Sequence, residues 1–221
     1  MGFFLPRSQD GGMKTALLLL ISALSATAGT ITLTGVNTSR GGNLRFLVNG
    51  TEEQHFAGII LGTYNGGPSQ SMFCVDLFTS ISLSTYSSEP RLPSSTNELR
   101  ATYLYVNYLA GVSSVALGQA MQLAIWDIIH DGGDGINAGT IRRSSNTSST
   151  VTTAWTNYLT ATSGQSSTAA SIYINFNGST PAQALIGTFQ PTAIPGVPEP
   201  ATFLLVGGAM VGLGLYRRRK L

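Results

Sequence analysis

Two apolar segments, one near each end of the chain, limit what it can fold into, because both have the flanks of export signals rather than of core elements. The first, residues 16–21, follows Lys14 and precedes the small residues at 26–28. We predict a signal peptide over residues 1–28, with Met13 as its true start. The segment is shorter than the roughly 20 apolar residues that a membrane span needs.

The second segment, residues 201–216, has a proline-containing linker before it and positive charge after it. The linker, residues 190–200, ends in Val197, Pro198, Glu199 and Pro200, and the tail, residues 217–221, begins with Arg217, Arg218, Arg219 and Lys220. Prolines hold the backbone extended, where a processing enzyme can reach it, and a basic cluster stays on the cytoplasmic side of a membrane. We therefore predict a transmembrane helix over residues 201–216 that stops at the basic tail.

This three-part tail resembles the PEP-CTERM sorting signal of Gram-negative bacteria in its Pro198-Glu199-Pro200 motif, its apolar helix and its terminal arginines. The resemblance implies an exosortase-type processing enzyme that acts while the chain is held transiently in the inner membrane. The mature protein would then reach the cell surface or an extracellular, biofilm-type matrix. Retention as a single-pass membrane protein is the alternative.

The intervening residues, 29–189, are long enough for one domain with a single core. Charged residues make up 10% of the chain, the net charge is +2, and most of the basic excess lies in the tail. A nearly neutral body excludes nucleic acid as a partner, because neutralising phosphates requires a basic patch on the folded part.

The domain is predicted to be α+β: a β-rich antiparallel sandwich or barrel-like half with an inserted helical section of two main helices. Alternating apolar residues and Asn-Gly turns predict strands, and helical spacing predicts the helices. The predicted strands are 31–34, 44–48, 56–64, 71–78, 172–176 and 184–189; the predicted helices are 99–110 and 119–130, with a loop over 142–153 and a short helical turn at 155–159.

The helix at 119–130 carries Gln122 at the edge of its apolar face. A buried amide that lacks a partner costs about 1 to 3 kcal/mol, so this side chain must find hydrogen bonds or take part in chemistry. A structural role is the simpler interpretation of Gln122 taken alone.

Common enzyme motifs are absent from the sequence, and no enzymatic activity, cofactor or metal is predicted. His55 and His130 are far apart and lack companion ligands or a nucleophile motif. The loop at 131–135 has oxygen ligands suited to calcium, but it matches no complete calcium-loop spacing, so a solvated glycine turn is the preferred interpretation.

Cys74 and Gln122 together resemble the internal-thioester domains of bacterial surface adhesins, which pair an aromatic-Cys strand with a Gln-x-Ala-Ile-Trp helix. The resemblance covers roughly residues 70–130 and rests on Phe73, Cys74, Val75 and Asp76, on Tyr103, Leu104 and Tyr105, and on Gln122, Leu123, Ala124, Ile125 and Trp126. It implies that Cys74 is the thiol and Gln122 the acyl donor, with Phe73, Asp76, Ile125 and Trp126 in support. Family members often have Thr where this chain has Met121, and Gln119 is a rival donor.

A thioester of this kind is opened by an amine on a partner, which leaves a covalent link after a single use. The resemblance therefore implies an adhesion protein that captures an amine-bearing surface or matrix target. Two alternatives stay open: a structural matrix protein with an inert buried Cys74, and a glycan-binding protein that stacks sugars on Tyr64, Tyr86 or Trp155.

Overall fold

The structure, a computed structural model, describes residues 28–188 of the chain. In chain order its elements are β1 (Gly29–Val48), β2 (Thr51–Tyr64), β3 (Gln70–Cys74), β4 (Thr85–Arg91), α1 (Thr96–Tyr108), a 3₁₀ helix (Leu109–Gly111), α2 (Val115–Asp131), β5 (Ile141–Arg142), α3 (Ser149–Ala161), β6 (Ser171–Asn177) and β7 (Thr180–Gly187). The predicted signal peptide, linker, transmembrane helix and basic tail lie outside the described residues. Within residues 28–188, every helix is too short or too polar to cross a membrane.

The strands form one antiparallel sheet that closes on itself. Its order is β2-β3-β7-β6-β4-β1-β5, and β1 also pairs with β2, so six strands make a closed ring. The short strand β5 pairs with the C-terminal end of β1. The described domain is thus mixed α+β with a barrel-like sheet, as predicted. The helical section is inserted between β4 and β6, and only the short strand β5 interrupts it.

Helix α2 is the centre of the packing. Every residue from Gly118 to Ile128 is buried, because α2 contacts β1 and β2 as well as α1 and α3. Gly118 allows the closest approach, since a Cβ at this position would lie 1.8 Å from the main-chain oxygen of Arg40 in β1. The helix begins at Ser114, whose side chain accepts from the Leu117 amide, and ends at the left-handed Gly132.

The prediction of two main helices was wrong, because α3 is a third full helix. Threonine and serine have low helix propensity, which favoured a loop over this hydroxyl-rich region. Here the Ser148 side chain caps the first turn, and Val151 and Trp155 are buried. Burial of one apolar face stabilises the helix against its weak propensity.

Other strand predictions also differ from the structure. The strands predicted at 31–34 and 44–48 are parts of one strand, β1. Strand β3 ends at Cys74 rather than at Phe78, because Asp76 accepts hydrogen bonds from the Phe78 amide and the Thr79 hydroxyl and so forms a turn. Strand β4 was missed, since Glu89 and Pro90 lie within it and neither favours a strand.

Candidate functional site

Cys74 is the last residue of β3, at the point where this strand meets β7. It pairs with Leu185, and the ladder continues for one step as the Val75 amide donates to the Ala184 carbonyl at 2.9 Å. The residue is 4% exposed. The ladder therefore places the thiol in a buried position opposite the C-terminal half of β7.

The Gln122 side chain of α2 binds the main chain of Cys74. Its Oε1 accepts from the Cys74 amide at 3.1 Å, and its Nε2 donates to the Cys74 carbonyl at 2.7 Å. Gln122 is fully buried, and these two bonds satisfy both ends of its amide. The structure thus brings the two predicted residues together, but it places the Gln122 amide on the backbone of Cys74 rather than on the sulfur.

The amide that lies at the sulfur belongs to Gln183 in β7. The Cys74 Sγ–H donates to Gln183 Oε1 at 2.9 Å, and Gln183 Nε2 donates to the main-chain oxygen of Asp76. The carbonyl of this amide therefore points at the thiol, and its nitrogen points away from it. Gln183 is 8% exposed.

Sequence analysis missed Gln183, although a signal for it was present. The residue is the one large polar side chain between Ala182 and Leu185, in a strand whose inward positions are otherwise apolar. A buried amide in such a strand requires partners for the same reason that Gln122 did. Neither residue can be paired with Cys74 by local spacing, because Gln183 lies 109 positions away along the chain.

The surroundings keep the thiol protonated. Burial raises the pKa of Cys74 well above its ordinary value, and the nearby Asp76 carboxylate raises it further. A neutral thiol donates its proton in a hydrogen bond, which is the contact made with Gln183.

A partly open cavity of about 440 Å³ leads to the two side chains. Cys74 and Gln183 line it together with Trp126 and His55, and the segment 77–83 forms one wall. Phe78 and Leu83 in this wall are 60% and 57% exposed. The pair is therefore buried, but it lies beneath a surface depression with an apolar rim.

The predicted supporting residues surround this cavity or the core below it. Trp126 stacks on Phe46 with ring centroids 5.6 Å apart, and Phe73 and Ile125 are fully buried. His55 lies against both aromatic rings of this stack and contacts the Glu53 carboxylate at 2.7 Å. The wall of the cavity is thus largely apolar near the sulfur.

The other residues considered from sequence have structural contacts. His130 accepts from the Leu77 amide at 3.4 Å, and burial lowers its pKa, which favours the neutral acceptor. The Gln119 amide donates to the carbonyls of Gly42 and Asn43 in β1, at 3.4 and 3.3 Å. These bonds hold the Gln119 amide on β1, whereas Cys74 lies on β3.

Two of the three aromatic residues considered for glycan stacking are unsuited to it. Tyr86 is 4% exposed and Trp155 is fully buried, so neither ring offers a free face to a sugar. Their burial follows from inward positions on β4 and α3 that alternation alone did not reveal.

Comparison with known proteins adds one finding outside the described residues. The pattern of the PEP-CTERM protein-sorting motif matches residues 196–220. The chain carries a PEP-CTERM sorting motif. No curated protein and no solved structure matches the chain.

The PEP-CTERM motif indicates the compartment in which the site lies. It implies recognition by an exosortase and sorting to the cell surface, as the sequence predicted. Cys74 is the single cysteine of the chain, so export exposes it to an oxidising compartment without an intramolecular disulfide partner. Burial beside Gln183 protects this thiol from solvent.

Proposed function

We propose that the exported domain forms an internal thioester between Cys74 and Gln183 and uses it to bind an amine of a surface or matrix target covalently. The observation that carries the proposal is the 2.9 Å contact between Cys74 Sγ and Gln183 Oε1 in a buried site. An acyl carbon bonded to that oxygen is within reach of the sulfur after a small rotation of the Gln183 side chain.

The bond-forming step needs no oxidant or cofactor. The Cys74 sulfur attacks Gln183 Cδ, the Cδ–Nε2 bond breaks, and the thiol proton leaves with the nitrogen as ammonia. The hydrogen bond from Nε2 to the Asp76 carbonyl orients the leaving nitrogen away from the sulfur. The thiol proton is hydrogen-bonded to Gln183 Oε1, so it passes to that oxygen as the sulfur attacks and from there to the departing nitrogen.

In this mechanism Gln122 is a positioning residue. Its two hydrogen bonds hold the Cys74 main chain in place, so the sulfur faces β7 rather than the helix. The earlier assignment of Gln122 as acyl donor requires the side chain to give up both bonds and turn toward the sulfur. Gln183 needs only a small rotation, because its carbonyl oxygen already contacts the sulfur, and this difference favours the Cys74–Gln183 pair.

Capture of the target opens the thioester at the same carbon. An amine attacks the same carbon, the C–S bond breaks, and the sulfur takes up the proton that the amine loses. The apolar part of the lining, which includes Trp126, Phe78 and Leu83, slows hydrolysis until a target enters. Each molecule would act once, which distinguishes capture from enzymatic turnover.

Intact mass of the purified full chain tests the proposal. We expect the wild type to be lighter by one ammonia than its sequence mass, and to regain mass by adding methylamine. Cys74→Ala and Gln183→Glu should both have their unmodified masses and take up no methylamine. Tandem mass spectrometry of the methylamine adduct should locate the label on Gln183.

The matched control is Gln119→Glu, which changes an equally buried amide of α2 that does not contact Cys74. This variant should keep the ammonia loss. A label on Gln122 would assign the bond to the Cys74–Gln122 pair instead. An unmodified wild-type mass with one titratable thiol after denaturation would refute the thioester and leave a non-reactive surface protein.

A further inference from the structure

Three carboxylates meet at the C-terminal end of α2. This end is opposite the one where Gly118 contacts β1. One oxygen from each of Asp127, Asp131 and Asp134 lies within 4.8 Å of the others. The left-handed glycines Gly132 and Gly133 turn the chain sharply after the helix, which returns Asp134 toward Asp127. The three side chains run from buried to exposed in chain order.

The innermost carboxylate has an oxygen without a hydrogen-bond partner. Asp127 is fully buried, and its Oδ2 accepts from the Trp155 indole nitrogen at 3.1 Å. Within residues 28–188, no donor hydrogen-bonds to Oδ1, although the Gly135 amide lies near enough to favour the ionised carboxylate. A buried carboxylate oxygen left in this state is costly unless a proton or a cation satisfies it.

No protein cation in the described part of the chain pairs with this cluster. The ion pairs there join Arg45 to Glu52 and Arg91 to Glu98, and the His55 ring contacts Glu53. The charge of Arg100 interacts with that of Asp127, but its guanidinium makes its hydrogen bonds to the main-chain oxygens of Gly132 and Leu159 and to the Thr162 hydroxyl.

The electrostatic consequence is visible at Asp127. Burial raises its pKa to about 7, and the charges of Asp134 and Asp131 add to the effect. Three mutually repelling carboxylates, one of which carries a buried oxygen without a hydrogen bond, are an arrangement that a multivalent cation stabilises.

We propose that Asp127, Asp131 and Asp134 bind a calcium ion. The donors are all hard oxygens, and the site opens to solvent at Asp134, so water can complete the coordination shell. Calcium accepts six to eight oxygen ligands in irregular geometry, whereas magnesium demands a nearly ideal octahedron and dehydrates reluctantly.

The ion would connect two elements as well as neutralise charge. Asp131 Oδ2 also accepts from the Ile141 amide at 2.8 Å, so a bound ion would tie the end of α2 to the start of β5. Because α2 carries Gln122 and Trp126, calcium would stiffen the helix that positions Cys74. This binding does not depend on thioester formation, and the two proposals can fail separately.

Calorimetric titration of the full chain, stripped with EDTA, with calcium chloride tests the proposal. We expect one ion per chain, a rise in Tm of about 5 °C or more at saturation, and no comparable response to magnesium. Asp134→Asn should weaken calcium binding at least tenfold without unfolding the protein, because this side chain is exposed. Asp127→Asn should weaken it as much, and should also raise the Tm of the calcium-free protein by relieving repulsion.

Glu89→Gln is the control, since it removes an exposed carboxylate from β4 and should leave calcium binding unchanged. Terbium luminescence excited through tryptophan gives a second readout, because the Trp155 indole contacts Asp127. Trp155→Phe should lower this emission while the calorimetric titration with calcium persists. Absence of binding at millimolar calcium, or equal binding by wild type and Asp134→Asn, would overturn the proposal.

Discussion

The Gln122 side chain closes a ring of two hydrogen bonds with the main chain of Cys74, at 3.1 and 2.7 Å, between residues 48 positions apart. A strand-end residue normally leaves its amide and carbonyl to the sheet or to water, whereas here a helix supplies both partners. The contact fixes α2 to β3 at the residue that carries the thiol. It therefore links the core of the fold to the geometry of the candidate site.

Replacing Gln122 by Leu should remove this link at nearly constant volume. Two buried main-chain groups would lose their partners, so we expect the free energy of unfolding to fall by about 2 to 5 kcal/mol. Urea unfolding measures the loss. Gln165→Leu removes an exposed amide in a loop and should change stability by less than about 0.5 kcal/mol; an equal effect of both substitutions would show that the ring contributes nothing.

The position of Gln122 was predictable in part from sequence. Its place beside an apolar helical face indicated a buried amide in need of partners, and the structure confirms that it is buried. The pattern could not say whether the partner was a sulfur or a backbone, because that depends on the distance between α2 and β3. A resemblance that paired two half-motifs supplied a role for Gln122 but did not identify Gln183.

The contact between Gln183 and Cys74 could not be predicted from the sequence. Its neighbours along the chain are small or apolar and carry no motif, and its contact with Cys74 exists because β3 and β7 are adjacent in the closed sheet. Strand order in such a sheet is a tertiary property, set by which edges meet. The cluster of Asp127, Asp131 and Asp134 is local in sequence, but the spacing did not show that Asp127 is fully buried, and a plain turn was preferred.

Gly118→Ala should strongly destabilise the domain. Its Cβ would lie 1.8 Å from the Arg40 carbonyl oxygen, and neither the helix nor the strand backbone can move without disturbing the core. We expect a loss of more than about 3 kcal/mol, or failure to fold. Gly111→Ala is the matched control, since its Cβ would meet nothing within 4 Å; thermal melting should separate the two variants clearly.

Glu98 should make the domain sensitive to acid. Hydrogen bonds from Arg91, reinforced by the amides of Ser94 and Ser95, lower the pKa of Glu98 to about 2 against the opposing effect of burial. The folded-state pKa lies below the ordinary value of 4.5, so this stabilisation is complete above pH 4.5 and is lost as the pH falls toward 2.

Glu98→Gln should therefore lower stability at neutral pH by about 0.5 to 1 kcal/mol, because the solvent-screened ion pair with Arg91 is lost while the Gln oxygen can still accept from the Ser95 amide. It should also flatten the fall in Tm between pH 4.5 and 2. Tm measured against pH for the wild type, Glu98→Gln and the exposed control Glu89→Gln tests this. A wild-type curve that Glu98→Gln leaves unchanged in shape would contradict the assignment.

Substitution at the sorting motif should change where the protein accumulates without changing how its domain folds. The PEP-CTERM match over residues 196–220 implies recognition by an exosortase, and Glu199 is the central charge of the Pro-Glu-Pro sequence. In a host with this enzyme, we expect Glu199→Ala to remain with the membrane fraction while the wild type reaches the surface. The Tm of the domain and its methylamine labelling should be the same in both, because the motif lies beyond the residues that form the sheet.

Thr192→Ala, in the preceding linker, is the control and should be sorted normally. Equal surface accumulation of Glu199→Ala and the wild type would show that sorting does not depend on Glu199.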